Sequence, residues 1–289
     1  MTGSAGPPGL GSAGPGGLLE RAARTESAYF ELGHRVSDSA LARFVSNPET
    51  PDVWDSNCVT RARAHTPDEV DELMAEAERR YAGAGHRVFK LDPLTPPALE
   101  VRLLLDGYQG DTLLHLVLPE VEEVTDMARA RVGAGAGSRP SVSIRTAESD
   151  ADWAGLAALA RADHEEAAAR EGRPVWGQDV SDQMVARKRL RSDHLPFFLA
   201  SLEGRDVGHG CAWAGTPEEK VGMVEDLFTD PAFRHRGVAS ALIVHGIAWA
   251  RAAGAGPVMI GAVDDDTPRL MYAAMGFRPT FVSRTYVSP

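Results

Sequence analysis

Downstream of residue 140 the apolar positions follow two periods in alternation. Short apolar or period-two runs at Val142 to Arg145, Pro196 to Leu202, Asp206 to Trp213, Val221 to Phe228, Val258 to Val263 and Phe281 to Tyr286 predict strands. Ser149 precedes a long helical pattern from about Ala151 to Glu171, and Gln183 to Arg191 predicts a second, basic helix. Glu203-Gly204-Arg205 is a hairpin turn signal. From Val238 to Ala253, Ala239, Leu242, Ile243, Gly246, Ile247 and Ala250 share one helical face, and Gly254 and Gly256 end the helix. Thr267, Pro268 and Arg269 open a last helix that closes at Gly276. The predicted order, β-α-α-β-β-β-α-β-α-β, is of the mixed α/β class.

The first half repeats part of this pattern. Thr66-Pro67-Asp68-Glu69 reads as a capping box with Pro at the first helical position, and the helix runs to about Tyr81 before Gly83-Ala84-Gly85. The second half has the same punctuation at Gly254-Ala255-Gly256. Arg87 to Lys90 then matches the strand at Val258 to Ile260, Thr95-Pro96 matches Thr267-Pro268, and Gly107-Tyr108 matches Gly276-Phe277. Leu113 to Leu118 corresponds to the final strand. Val132 to Pro140, rich in Gly and Ala, reads as a linker, and residues 1–17 as a disordered tail without the basic start or apolar run of a signal peptide.

At 289 residues, with 43% hydrophobic and 25% charged positions, the chain has the composition of a soluble globular protein large enough for two domains. A net charge of −11 argues against a general nucleic-acid binder and is compatible with a cationic substrate such as an amine. No run is long and apolar enough for a membrane span. Cys58 and Cys211 are widely separated and lack metal-ligand spacing, which reads as two reduced cysteines of a cytoplasmic protein. No metal site is expected. The triplet Asp264-Asp265-Asp266 has neither the turn glycine nor the distal Glu of a calcium loop.

The chemistry concentrates in Val224 to Ala239, a strand, a basic turn and a helix start. The turn carries Arg-x-x-Gly-x-Ala at Arg234 to Ala239. A helix start presents unpaired N–H groups and a positive dipole end, and so suits a phosphate. Gly237 removes a side chain where a pyrophosphate would approach, and Arg234 and Arg236 add charged donors. This turn resembles the acyl-CoA pyrophosphate loop of the GNAT superfamily of N-acetyltransferases. Arg269-Leu-Met-Tyr272-Ala-Ala-Met-Gly276-Phe277 resembles the Leu-Tyr-x-x-x-Gly-Phe segment near the end of such domains.

The resemblance implies an acyl-CoA N-acyltransferase fold, a mostly antiparallel sheet flanked by helices, in tandem. Residues 18–131 would be a degenerate copy, 132–140 the linker and 141–289 the catalytic domain. The stretch Cys58 to His65, before the Thr66 helix, holds no glycine to admit a pyrophosphate, and the helix that ends at Gly107 has leucines at 103–105 and no tyrosine, so one active site is expected. Implied cofactor contacts are Leu227, Phe228 and Thr229 along the pantetheine arm, and Arg234, His235, Arg236, Gly237, Val238, Ala239 and Ser240 around the pyrophosphate. Asp265 stands where relatives carry a cofactor-binding asparagine, and it cannot donate as an amide does.

The implied reaction is direct transfer of acetyl from acetyl-CoA to a primary amine of a small molecule or peptide. Tyr272 would be the general acid at the sulfur. In relatives with a Glu-Asp-Phe/Leu-Phe-Val segment, such as the polyamine acetyltransferases, the glutamate lies by the substrate amine, which nominates Glu225 as base, with Asp226 as competitor. Strand alternation sets these two carboxylates on opposite faces. His164 and Trp176 are acceptor-site candidates. The alternative reading is a non-catalytic acetyl-CoA-binding sensor or scaffold. No nucleic-acid or membrane partner is expected, and the chain is expected to be a monomer or homodimer.

Overall fold

Capping chemistry sets where the helices begin. In the computed structural model, which describes residues 16–120, 141–263 and 268–288, Thr66 and Glu69 form the capping box expected of them. Ser149 forms a second one with Asp152. The first-half elements are α1 (Leu18–Glu31), β1 (Arg35–Asp38), β2 (Arg43–Ser46), β3 (Cys58–Thr60), α2 (Pro67–Arg80), β4 (Val88–Leu91), α3 (Pro97–Leu105) and β5 (Gln109–Leu118). The second half supplies β6 (Ser143–Thr146), α4 (Asp150–Glu171), α5 (Gln178–Arg191), β7 (Phe197–Leu202), β8 (Arg205–Trp213), β9 (Gly222–Thr229), α6 (Val238–Ala252), β10 (Val258–Val263), α7 (Pro268–Ala274) and β11 (Arg278–Val287). Between β7 and β8 a two-residue turn places Glu203 at φ +54° and Gly204 at φ +78°, the left-handed pair of a tight hairpin. The tail up to residue 15, the linker at 132–140 and Asp265 lie outside the described residues.

The eleven described strands form one sheet in the order β1-β2-β3-β4-β11-β5-β10-β9-β8-β7-β6. The two halves are therefore interleaved. Strand β5, from the first half, sits between β10 and β11, with six register pairs to β10 and nine to β11. Strand β11, from the second half, pairs in turn with β4 of the first. Each half repeats one local plan, a parallel pair (β3 with β4, β9 with β10) flanked by the last strand of the other half. The boundary read in the sequence is thus a boundary in the chain and not in the sheet.

Helices α1, α4 and α5 cover one face, on which Tyr29, Val117, Trp153, Leu156, Cys211, Met223, Met259 and Phe281 pack together. Helices α6 and α7 cover the other, with Leu116, Leu118, Val224, Ile243, Ile260 and Phe277. Helices α2 and α3 pack on that same second side, through Phe44, Phe89, Leu99 and Tyr286. Alternation along β5 and β10 assigns these faces residue by residue.

Candidate active site

Strand β9 carries the site because it does two irregular things within four residues. Its parallel pairing with β10 runs only from Gly222 to Val224 against Val258 to Ile260, and beyond Val224 the two strands part. Its register with β8 also slips: Cys211 pairs with Glu225 but His209 with Phe228, so β9 holds one extra residue. Asp226 takes up that residue at φ +56°, the left-handed region. The bulge overturns the expectation that Glu225 and Asp226 face apart. The extra residue cancels one alternation, and both carboxylates lie on the face of α1, α4 and α5. Asp226 Oδ2 is 3.4 Å from the Tyr29 hydroxyl and 3.8 Å from Cys211 Sγ, while Glu225 Oε1 lies 3.3 Å from where a Cβ on Gly261 would stand.

The two carboxylates sit in different fields. Burial pushes the Glu225 carboxyl up to about 7, partly opposed by His115 on β5. Its Oε1 is buried without a hydrogen-bond partner among the described residues. Burial also raises Asp226, but Lys188 and Arg191 outweigh it and hold that group well below the usual carboxylate range. Lys188 Nζ is 2.5 Å from Asp226 Oδ1. Part of the basic run of α5 turns inward. Arg187, Lys188 and Arg191 are all buried, Arg191 with its guanidinium 3.7 Å above the Tyr29 ring. The Cys211 thiol, pushed up to about 12 by burial, is no nucleophile there.

The basic turn lies at the far end of β9. A short 3-10 turn, Pro231–Phe233, leads into it, capped by Asp230. His235 (φ +61°) and Gly237 (φ +88°) are both left-handed, which Gly237 tolerates without cost. Gly237 is the N-cap of α6 and no side chain caps that helix, so its first-turn donors have no side-chain acceptor. A Cβ at Gly237 would meet nothing within 4 Å. An uncapped helix start opening on clear space fits the diphosphate of a CoA thioester. The two arginines are currently turned to carboxylates, Arg234 to Glu166 at 2.5 Å and Arg236 to Glu203. Val238 is buried, Ala239 and Ser240 are half-buried, and Ser240 Oγ reaches Met271 Sδ at 3.7 Å, tying α6 to α7. Replacing Gly237 by Glu would put strain and negative charge at this point. We expect acetyl-CoA affinity, read by calorimetry, to fall by about 100-fold or more, while the strain lowers the melting temperature by only a few degrees.

Leu227, Phe228 and Thr229 line β9 past the fork, Phe228 buried against His209 and Thr229 accepting a bond from Arg234 Nε through its carbonyl. Tyr272 is buried on α7 beside Phe277, in the cluster on the α6 side of the sheet. It thus lies on the face of the sheet opposite Glu225. His164 is buried, its ring edge-on to Trp176 at 5.6 Å, and burial pulls it down to about 4. Trp176 in turn meets Trp54 of the first half at 6.3 Å, and Trp54 meets His86.

The first half contributes more than a wall. Glu26 and Tyr29 on α1 and His115 on β5 reach the face of Glu225. Sequence reasoning missed all three. His115 sits in a period-two run, but only the strand exchange says which site that run faces. Among the described residues no group of side chains could hold a metal ion, and no helix is long and apolar enough to cross a membrane.

Residues 153–277 match the sequence profile of the Acetyltransferase (GNAT) family. Aminoglycoside N(6')-acetyltransferase type 1 of Acinetobacter genomosp. 13 is 29% identical over 131 residues, 45% of this chain and 85% of that protein. Among solved structures, a GCN5-related N-acetyltransferase from Kribbella flavida superposes with a TM-score of 0.60 at 14% identity, covering 94% of this chain and 95% of that one. A tandem GNAT protein from the clavulanic acid biosynthesis pathway superposes with a TM-score of 0.57 at 13% identity, covering 93% and 92%. At these identities the likeness is one of fold. The second half carries a GNAT acetyltransferase domain, and the chain as a whole has the fold of tandem GNAT proteins.

Proposed function

We propose that the protein transfers an acetyl group from acetyl-CoA to a primary amine of a small molecule or peptide by direct attack, at a single site in the fork between β9 and β10. The observation that carries this reading is Glu225, a half-buried carboxylate whose Oε1 is buried and unpartnered, with its pKa raised to about 7 at the point where the strands part. A base of this kind takes a proton efficiently near neutral pH. Asp226 is a poor base, because its ion pair with Lys188 keeps it charged and occupied. The N-terminus of α6, Gly237 and the two arginines would hold the diphosphate, and β9 from Leu227 to Thr229 the pantetheine arm. When bound, acetyl-CoA supplies a thioester acyl group activated toward amines. Glu225 removes the amine proton, and Tyr272 gives its phenolic proton to the departing thiolate.

The test is a screen of amines for CoA release by the intact chain, paired with Tyr272→Phe. We expect that variant to lose about 10- to 10⁴-fold in turnover with acetyl-CoA affinity nearly unchanged. Full activity in Tyr272→Phe would remove the general-acid role. Acetyl-CoA binding without turnover on any amine would favour a non-catalytic acetyl-CoA sensor.

A further inference from the structure

Across from Glu225 stands a hydrogen-bonded group that the first half brings into the sheet. His115 on β5 is the register partner of Gly261 on β10, and Glu225 on β9 lies over that same glycine. Gly261 has no side chain, and the place where its Cβ would stand is filled by Leu113 Cδ2 at 3.1 Å and Glu225 Oε1 at 3.3 Å. The His115 ring is 1% exposed and stacks on Phe281 at 4.3 Å and 14°. Its Nε2 lies 2.9 Å from Glu26 Oε1 and 2.8 Å from Ser283 Oγ, and Ser283 donates to the same Glu26 oxygen at 2.6 Å.

This network selects a tautomer. A carboxylate only accepts, and the one proton of Ser283 goes to Glu26. Both neighbours of Nε2 therefore present acceptors, so Nε2 carries a hydrogen, and in the neutral ring Nδ1 carries the lone pair. Nδ1 is buried with no partner among the described residues, and so is Glu225 Oε1. Two buried atoms able to accept a proton thus lie on one face, on strands to either side of Gly261.

We propose that His115, oriented by Glu26 and Ser283, is a first-half residue that works through Glu225 in deprotonating the amine. The N–H bond of the ammonium breaks as the Glu225 carboxylate takes the proton. His115, with Glu26 Oε1 2.9 Å from its Nε2, sets the field in which Glu225 holds that proton and then releases it to solvent. No electrons are transferred and no further reactant is needed. This rests on Glu225 being the base. His115 is a positioning residue in this scheme, and the first half, though it lacks a cofactor loop, completes the site of the second.

The groups that face Glu225 are Asp226 on its own strand, with Lys188 behind it from α5, Glu26 and Tyr29 from α1, His115 from β5 and the Gly261 N–H from β10. The test is nitrogen-15 NMR of the histidines in the intact chain, over the range in which Glu225 titrates. The expected spectrum has His115 as the Nε2–H tautomer, with a titration step that follows Glu225 and disappears in Glu225→Gln. An Nδ1–H tautomer, or a His115 titration identical in Glu225→Gln, would overturn the proposal. In the amine assay, His115→Gln should lower kcat about 10- to 100-fold and move the acidic limb of the pH profile, with acetyl-CoA affinity unchanged. An unchanged kcat and limb would also overturn it. Failure of the base assignment looks different: Glu225→Gln would keep its turnover whatever the histidine spectrum shows.

Discussion

Residues 141–289 expressed alone will not give a folded acetyltransferase domain. The fragment holds the whole stretch that matches the family, yet it lacks the strand between β10 and β11. Removing β5 strips six register pairs from β10 and nine from β11. It also uncovers the seats of Leu116, Val117 and Leu118, each no more than 4% exposed in the intact chain. Three such side chains are worth about 5–9 kcal/mol of burial, comparable with the roughly 5–15 kcal/mol that holds a domain together. Helix α1 would be lost as well, and with it Ala22, Ala23 and Tyr29 from the core over Trp213 and Met223. The expected result is aggregation, or a species without a cooperative melting transition. Co-expression with residues 16–120 should restore a soluble complex that binds acetyl-CoA. A soluble monomeric 141–289 fragment with native acetyl-CoA affinity would show that the exchange of strands is dispensable.

Glu225→Gln should abolish most turnover while preserving the fold and acetyl-CoA binding. The amide matches the carboxylate in shape but cannot take a proton, and general bases contribute about 10²–10⁴-fold. In the wild type, kcat/KM should rise through about pH 7 as Glu225 ionises, and the variant should lose that limb. Stability should move the other way. The folded-state value of about 7 lies above the ordinary 4.5, so the fold favours the neutral carboxyl. That contribution is fully present below 4.5 and is lost as pH rises through 7. The stability of Glu225→Gln relative to wild type should therefore climb between those values and level off above them, by about 3 kcal/mol. A pH-independent difference would mean that Glu225 is not the buried acid described.

Much of the second half is legible in its sequence because its signals are local. The capping residues, the glycine stops after α6 and the alternation in β7 to β10 each act within a few residues, and Gly237 announces its left-handed turn by its type. Two features were not legible. The bulge at Asp226 puts a non-glycine residue at positive φ, a choice made by the packing of Tyr29, Cys211 and Lys188 around its carboxylate rather than by its own preference. The exchange of β5 and β11 is a matter of partner choice between two similar strands, and periodicity is blind to partners. Since His115 reaches Glu225 only through that exchange, half of the candidate site stayed hidden with it. Elements β1 to β3 and α1 were missed for a simpler reason: the strands are three or four residues long, and α1 follows a Gly-rich run that supplies no side-chain cap.

The most direct test is amine-dependent CoA release by the intact chain, measured for wild type and Glu225→Gln at equal acetyl-CoA saturation. The expected result is release that needs a primary amine, rises through about pH 7 and falls about 10²–10⁴-fold in the variant. Release that Glu225→Gln leaves undiminished would contradict it.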